Sequence, residues 1–559
     1  MKLNGAQTVV KCLLKENVDT IFSYQGGVVI PIFDELYKSG KIKMVRPSHE
    51  QCGTHAADAY ARTTGKVGVV LVTSGPGASN TVTGIANAHM DSVPMVIISG
   101  QVSLDKIGTD AFQEVDIRGI TLAITKASFM VTDIKDLVPT FKKAFYLANS
   151  GRKGPVLIDI PVTILFQEEK FDYPKKISIA AYNPTTHGNL KQIRRVTSLI
   201  KDSKRPIIIS GGGVISSNST KYVESLAQLY NIPIVNTLMG NGVYPKKKEL
   251  YLGPIGMHGS LYVNKAIGKA DLIIALGTRF SDRITGSLAT FAKKASIVQI
   301  DVDPAEIGKN TVVALPIVGD LHLVLKEILS TEKVKNNTKE WIKTLLTMKN
   351  KYPLSYREKK GVISPQKTIQ LINKYFPDDT IICTDVGQTQ MWITQYYNFK
   401  KPRTIVTSGG LGAMGFGLPA SIGSKIGNPK KMVLAISGDG GFQMTMQDLI
   451  TVKNYNLDIK IVVMDNKSLG MVRQWQKLLC QKRYSETILD KNPDFVAVAK
   501  AYGINATRCD NPDHLEDCIN ELRNSKGAKL LHILIDPWEN VLPMVPSGKS
   551  LNDCLDSID

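Results

Sequence analysis

Several things are missing from this chain, and each absence removes a class of protein. No run of about 18 uninterrupted apolar residues occurs, so no segment offers a bilayer-crossing helix, and no membrane partner is expected. The seven cysteines (Cys12, Cys52, Cys383, Cys480, Cys509, Cys518, Cys554) are scattered, odd in number and never spaced C-x-x-C. That argues against a disulfide framework and a zinc ribbon, and for a reducing, cytoplasmic setting. Between Met1 and Lys15 there is neither a signal-peptide apolar core nor an Arg/Ser-rich transit pattern, so export is not expected. Long basic runs are absent too. The net charge of +19 is dispersed, and its longest run is Lys246-Lys247-Lys248, which reads as a lysine-rich solvated surface, not a nucleic-acid footprint.

What is present is a rhythm. At 559 residues the chain exceeds one hydrophobic core. Short apolar, β-branched runs alternate with helical stretches: Val67–Thr73, Met95–Ser99, Pro155–Ile160, Pro206–Ser210, Leu272–Leu276, Ser296–Asp301, Thr380–Thr384, Met432–Ser437, Lys460–Asp465 and Leu530–Ile535. Near-continuous apolar strands belong to parallel sheets covered on both faces, with ligand-facing loops at the carboxyl ends. Connector-like segments at Phe166–His187 and Thr331–Val362 divide the chain. The expectation is three doubly wound α/β units, at 1–165, 188–330 and 363–540, followed by a tail at 541–559.

The most specific chemistry lies between Gly438 and Asn466. One apolar strand ends in Ser437-Gly438-Asp439-Gly440-Gly441 and a later one in Asp465-Asn466. A helix, roughly Thr445 to Asn454, fits between them, so a right-handed crossover brings Asp439 and Asn466 to the same sheet edge. One carboxylate and one amide oxygen, joined by the Ser468 carbonyl, make an oxygen-only site that leaves room for water and phosphate oxygens, as Mg²⁺ prefers. The glycines permit close approach of a diphosphate to a helix N-terminus. Gly-Asp-Gly alone is ordinary turn chemistry; Gly438-Asp439-Gly440 with Asn466 downstream resembles the signature of thiamine diphosphate enzymes. The resemblance implies Mg²⁺ on Asp439 and Asn466, anchoring the cofactor's diphosphate.

A second segment, Arg46-Pro47-Ser48-His49-Glu50, leads into a helix over Thr54–Arg62. A zinc-protease reading fails, because His49 and His55 are six apart and H-E-x-x-H requires four. A lone Glu at a helix start is otherwise a dipole-favoured surface residue. By resemblance, however, Glu50 hydrogen-bonds N1′ of the cofactor's aminopyrimidine and drives its proton transfers, a task that calls for a buried carboxylate. The family sets this Glu and the metal on different subunits, so the resemblance implies a homodimer or homotetramer.

The similarity to acetohydroxyacid (acetolactate) synthase catalytic subunits runs nearly end to end. It is carried by Tyr24-Gln25-Gly26-Gly27, His55-Ala56-Ala57-Asp58, Gly65-Lys66-Val67-Gly68-Val69, Thr73-Ser74-Gly75-Pro76-Gly77, Asp110-Ala111-Phe112-Gln113-Glu114, Gly470-Met471-Val472-Arg473-Gln474-Trp475 and Pro543-Met544-Val545-Pro546. It implies pyruvate decarboxylation with ligation to pyruvate or 2-ketobutyrate, giving 2-acetolactate or 2-aceto-2-hydroxybutyrate for valine, leucine and isoleucine synthesis. Gly27 would donate a backbone N–H to the substrate, Gln113 would reach the reacting centre, Phe112 would wall the pocket and Trp475 would shape the acceptor site. Tyr24, Gly26, Pro76, Asn80, Val386, Gly387, Gln388, Gly412, Met414, Gly438, Gly440, Gly441, Met444, Gly470 and Met471 are the implied thiamine diphosphate contacts, with Met414 or Met444 wedging the cofactor; methionines alone would read as core filling.

In the middle block, Pro206–Gly213 enters a glycine turn without G-x-G-x-x-G spacing, which alone is weak evidence for a dinucleotide. Together with Met257-His258-Gly259, the segment Gly277-Thr278-Arg279-Phe280-Ser281-Asp282-Arg283 and Gly319-Asp320, it resembles an FAD-binding domain. The implied FAD contacts are Arg152, Gly211, Gly212, Gly213, Thr237, Leu238, Met257, His258, Gly277, Arg279, Arg283, Asp301 and Asp320, although Arg279 and Arg283 could instead pair with Asp282 or Asp301. Such an FAD would be structural, because decarboxylation with ligation moves no net electrons. The sequence departs from the family pattern at Gln25 (Pro), Ala59 (Gly), Val162 (Lys) and Ser281 (Asp). Three rivals stay open: a flavin-free catabolic acetolactate synthase, a pyruvate oxidase and a non-catalytic thiamine-binding paralogue. So does a small regulatory subunit.

Overall fold

Pro206–Ser210 and Leu272–Leu276 are buried at every position, which a strand can be only where helices cover both faces of its sheet. The computed structural model describes residues 2–245, 249–331 and 333–556, so the Lys246-Lys247-Lys248 run lies outside the described residues. Its apolar runs build three six-stranded sheets. The first is ordered Lys43–Val45, Thr20–Tyr24, Gly68–Val72, Met95–Gln101, Pro155–Pro161, Ala127–Met130, and every pairing in it is parallel. The last is ordered Ile405–Val406, Ile381–Thr384, Val433–Gly438, Ile459–Asp465, Lys529–Leu534, Asn505–Cys509, again all parallel. Numbered within its own sheet, each reads 2-1-3-4-6-5, one topology used twice.

The middle sheet is ordered Tyr251–Pro254, Ile234–Asn236, Pro206–Ser210, Leu272–Leu276, Ser296–Asp301, Leu315–Val318. This is 3-2-1-4-5-6, whose reversal between the first and fourth strands opens a ligand crevice at their carboxyl ends. There the turns touch: a Cβ on Gly211 would lie 2.2 Å from the Gly277 carbonyl oxygen, and Gly277 itself has φ +56°.

The connectors differ from expectation. Phe166–His187 contains the strand Glu168–Lys170, paired antiparallel with Lys2–Asn4. Thr331–Val362 contains the helix Lys339–Lys351, whose Trp341, Leu345 and Met348 are buried against the middle core. Its charge had hidden an amphipathic face. The tail returns to the same core through Val545 and Leu551, and Val545 donates its N–H to the Met257 carbonyl at 2.8 Å.

The outer units are joined by a helix pair, Glu50–Thr64 against Gly417–Gly427. A Cβ on Gly423 would stand 1.8 Å from the Ala56 carbonyl oxygen, so the backbones meet where no side chain fits. Arg62 bridges this seam, donating to Asp58, to Asp91 at 2.9 Å and to the Thr407 carbonyl at 3.1 Å.

Asp159, fully buried in Pro155–Pro161, accepts from Ser99 Oγ at 2.6 Å and Gln101 Nε2 at 3.1 Å. Burial pushes its carboxyl up to about 7 from 3.8, with Asp116 adding repulsion. A raised folded value favours the native state below the unfolded pKa and loses that advantage as pH climbs to about 7, a penalty of roughly 4 kcal/mol at most. Asp159→Asn is expected to remove this slope: its melting midpoint should gain on the parent's between pH 5 and pH 8. An offset equal at both pH values would reject the assignment.

Candidate functional site

Asp439 and Asn466 stand just past the tips of two strands paired in register, Val433–Gly438 and Ile459–Asp465. The helix between them does not begin at Thr445 as expected. One helix spans Asp439–Thr445, a 3₁₀ turn follows at Met446–Asp448, and a second helix spans Leu449–Asn454. Glycines are poor helix formers, but here packing overrides propensity: Phe442 is fully buried, and a Cβ on Gly441 would fall 2.7 Å from the Asp385 carboxylate. Asp439 thereby becomes the first residue of a helix, with Gly438 at its cap.

Both side chains are buried, Asp439 at 1% exposure and Asn466 at 7%. Asp439 accepts from Asn492 Nδ2 at 2.8 Å, and the same nitrogen reaches Asp465 at 3.0 Å. Burial first, and then the Asp465 carboxylate, push Asp439 well above the usual carboxylate range. Asp465 is held low against its own burial by His532 and the Lys467 N–H. Two adjacent buried carboxylates with one amide between them make a site that a cation would relieve. Asn466 donates to Gln388 Oε1 at 3.0 Å, so its own oxygen, which accepts the Ser468 N–H at 3.1 Å, is the atom left for such a cation. Ser468 Oγ is buried and has no hydrogen-bond partner among the described residues.

These residues line one end of a cleft of about 940 Å³. From the C-terminal unit it takes Val386, Gly387, Gln388, Gly412, Met414, Gly438, Asp439, Gly440, Gly441, Asn466, Ser468, Gly470, Met471 and Trp475. Gly387 and Gly412 have φ +92° and +74°, and a Cβ on either would meet nothing within 4 Å, so bare backbone faces the space. Met444 lies outside the cleft at 54% exposure, which leaves Met414 as the methionine against Gly440.

The same cleft continues along the switch point of the middle sheet. Gly211, Gly212, Gly213, Thr237, Leu238, Met257, His258, Gly277, Arg279, Arg283, Asp301 and Asp320 line it there, with Arg152 from the N-terminal unit. Arg152 is already neutralised by Asp303 at 3.2 Å and Glu306 at 2.8 Å. Arg283 lies 3.6 Å from Asp282, an exposed pair. Arg279 is half-buried and, among the described residues, has no carboxylate partner, so it is a guanidinium left for an anionic ligand. Burial lifts Asp301 to about 6.

A separate cluster gathers at the tips of the N-terminal sheet. Glu50 is the first residue of its helix, which His49 caps through its ring nitrogen; the helix runs Glu50–Thr64, longer than the expected Thr54–Arg62. The Glu50 carboxylate accepts from Asn80 Nδ2 at 3.0 Å and faces Gly77, but it is half-buried, not buried as the sequence suggested. Pro76 opens the short helix leading to Asn80. A Cβ on Gly26 would meet Thr73 at 2.5 Å, and one on Gly75 would meet the Gln113 carbonyl at 2.7 Å, which packs Tyr24–Gly27, the Gly75 turn and Gln113 together. Gln113 adopts φ +60°. Phe112 is 89% exposed, and Gly27 opens onto free space. None of Glu50, Tyr24, Gly26, Gly27, Pro76, Asn80, Phe112 or Gln113 lines the cleft that holds Asp439.

Three site residues escaped the sequence. Asn492 sits in an irregular loop with no spacing signal. Asp385 accepts the Val386 and Gly415 N–H groups at 2.8 and 3.0 Å and so ties two cleft loops together; an Asp directly after a strand was its available cue. Gln474, fully buried, was passed over beside Trp475.

The fold and the two-part site define a class, the thiamine pyrophosphate (diphosphate) enzymes. The N-terminal TPP-binding domain of that class matches residues 3–120, its central domain 193–328 and its C-terminal TPP-binding domain 385–533. Within the class, the acetolactate synthase large subunit of Lactococcus lactis subsp. lactis is 43% identical over 98% of this chain and 95% of its own length. The acetolactate synthase large subunits of Buchnera aphidicola subsp. Schizaphis graminum and of Cyanidium caldarium are each 44% identical over 99% of this chain, with 98% and 96% of their own lengths covered. The chain belongs to the acetolactate synthase large-subunit family of thiamine diphosphate enzymes.

Proposed function

We propose that the protein is an acetolactate synthase that decarboxylates pyruvate and joins the two-carbon unit to pyruvate or 2-ketobutyrate, forming 2-acetolactate or 2-aceto-2-hydroxybutyrate for branched-chain amino-acid synthesis. The observation that carries this reading is the pairing of Asp439 with Asn466 at adjacent strand tips, inside a cleft floored by bare glycine backbone. Thiamine diphosphate, when bound, supplies the carbon nucleophile and electron sink for the reaction. Asp439, the Asn466 oxygen and the Ser468 carbonyl would hold Mg²⁺, and Gly438, Gly440 and Gly441 would admit the diphosphate.

Glu50 would hold and move the proton at N1′ of the aminopyrimidine, steadied by Asn80. Because its cluster lies outside the Asp439 cleft, each centre would be completed by Glu50 of the partner subunit, which makes the active unit a homodimer or homotetramer. Exposed Phe112 and Tyr24 at that face are consistent with this. Gly27 and Gln113 would meet the substrate, and Trp475 would bound the acceptor, where one extra methylene is worth about 1 kcal/mol, a modest preference.

The middle unit would hold FAD as a structural group. Support comes from its 3-2-1-4-5-6 order, its touching glycine turns and the guanidinium of Arg279, which has no carboxylate partner among the described residues. Among the described residues no helix is long and apolar enough to cross a membrane, and a cytoplasmic setting with an optional small regulatory subunit completes the reading.

Incubating the protein with pyruvate and 2-ketobutyrate, thiamine diphosphate and Mg²⁺ is expected to yield both acetohydroxyacids, with a flavin spectrum that stays oxidised throughout. Flavin reduction in step with turnover would instead identify a pyruvate oxidase. Cofactor binding without any product would identify a non-catalytic paralogue.

A further inference from the structure

A line of buried amides connects the candidate metal site to the C-terminal tail. Gln474 pairs with both backbone groups of Val541: its Oε1 accepts the Val541 N–H at 2.8 Å, and its Nε2 donates to the Val541 carbonyl at 3.1 Å. A backbone N–H can only donate and a carbonyl can only accept, so this pairing fixes which end of the Gln474 amide is oxygen. The Gln474 oxygen then accepts from Gln388 Nε2 at 2.9 Å, a nitrogen that also donates to the Glu539 carbonyl at 3.0 Å. With that nitrogen committed, Gln388 presents its oxygen to Asn466 Nδ2 at 3.0 Å. Asn466 is left with one orientation, nitrogen toward Gln388 and oxygen toward the site. Gln474, Gln388 and Asn466 are 0%, 4% and 7% exposed, so water does not substitute along the line.

We infer that Gln474 is a positioning residue: it transmits the seating of residues 539–541 to Asn466, so that docking of the tail and binding of a divalent cation support each other. The inference rests on the reading that Asp439 and Asn466 hold the cation. The coupling is reciprocal, so a cation that locks Asn466 must also tighten the Val541 contacts. Arg473 strengthens the tail end of the line, donating to the Glu539 carbonyl at 2.7 Å. Gln474→Leu keeps bulk but severs the line, whereas Gln474→Glu keeps an acceptor for both Val541 N–H and Gln388 Nε2 and loses the donor to the Val541 carbonyl and to Met544 Sδ.

The test is Mn²⁺ binding followed by electron paramagnetic resonance, in the presence of thiamine diphosphate, on the parent and both variants. Removing a partner that orients a metal ligand costs about 10- to 100-fold in affinity, and Gln474→Leu is expected to fall in that range with Gln474→Glu recovering most of the loss. Hydrogen exchange at the Val541 amide should slow when Mn²⁺ and thiamine diphosphate are added to the parent, and should ignore them in Gln474→Leu. Mn²⁺ binding equally to the parent and a folded Gln474→Leu would overturn the relay alone; no binding to the parent would overturn the cation reading beneath it. If Gln474→Leu does not fold, exchange at Val541 in the parent decides, and indifference to Mn²⁺ overturns the coupling.

Discussion

Glu50→Gln is expected to lower kcat by roughly 10² to 10⁴-fold, the contribution of a positioned proton-transfer group, while leaving thiamine diphosphate and Mg²⁺ affinities within a few-fold of the parent. The substitution is nearly isosteric. Asn80 Nδ2, which now donates to Glu50 Oε2 at 3.0 Å, would find the amide oxygen of Gln in the same place, so the turn at Pro76–Asn80 should not move. The amide could still hydrogen-bond the pyrimidine, but it can neither release nor take up a proton there. Binding and proton transfer are thereby separated in one variant, and steady-state kinetics beside cofactor titration reads both. A kcat within threefold of the parent would remove Glu50 from the mechanism. Loss of cofactor binding with no further loss at saturation would make it a structural residue.

How much of this was visible in the sequence depends on where each strand sits. Every apolar run picked out by composition became a strand, to within two residues at either end, and each is flanked on both sides in its sheet. None of the six edge strands of the three large sheets is among those runs: Lys43–Val45, Ala127–Met130, Tyr251–Pro254, Leu315–Val318, Ile405–Val406 and Asn505–Cys509. An edge strand has one neighbour and often one half-covered face, so it is short or mixed in polarity; Asn505–Cys509 mixes exposed, half-buried and buried positions, and Ala127–Met130 is half-buried throughout. Thr20–Tyr24 and Ile234–Asn236 were missed as well, although each is an inner strand, the first diluted by polar side chains and the second only three residues long.

The site follows the same logic. Asp439 and Asn466 were legible because a motif and a crossover rule fix their placement from local sequence. Asn492 and Gln474 were not, because each acts through a contact made only after distant segments fold together, Asn492 with Asp439 and Asp465, Gln474 with Gln388 and Val541. The half-exposed state of Glu50 could not be read from its segment either, since burial of a helix start depends on what docks over it. Its turn is held by another part of the chain, Ser48 donating its N–H to Asp448 at 2.8 Å.

Asp439→Asn should have the other large effect, and for a different reason. The native side chain is a buried carboxylate beside Asp465, with Asn492 donating to both. Burial and Asp465 disfavour the charge on Asp439, so a divalent cation there would relieve a carboxylate that the fold otherwise pushes toward protonation; an amide offers only a dipole in its place. Mg²⁺ affinity is expected to fall by about two orders of magnitude or more, and thiamine diphosphate affinity with it, since the diphosphate would lose the ion that bridges it to the protein. The apo protein, by contrast, should become more stable near neutral pH, because the repulsion between two buried carboxylates disappears. The opposed signs make the test sharp: isothermal titration with Mg²⁺ and the cofactor should show weaker binding, while the melting midpoint without ligands rises. A variant that binds Mg²⁺ like the parent, or melts lower without it, would show that Asp439 serves the fold and not the metal.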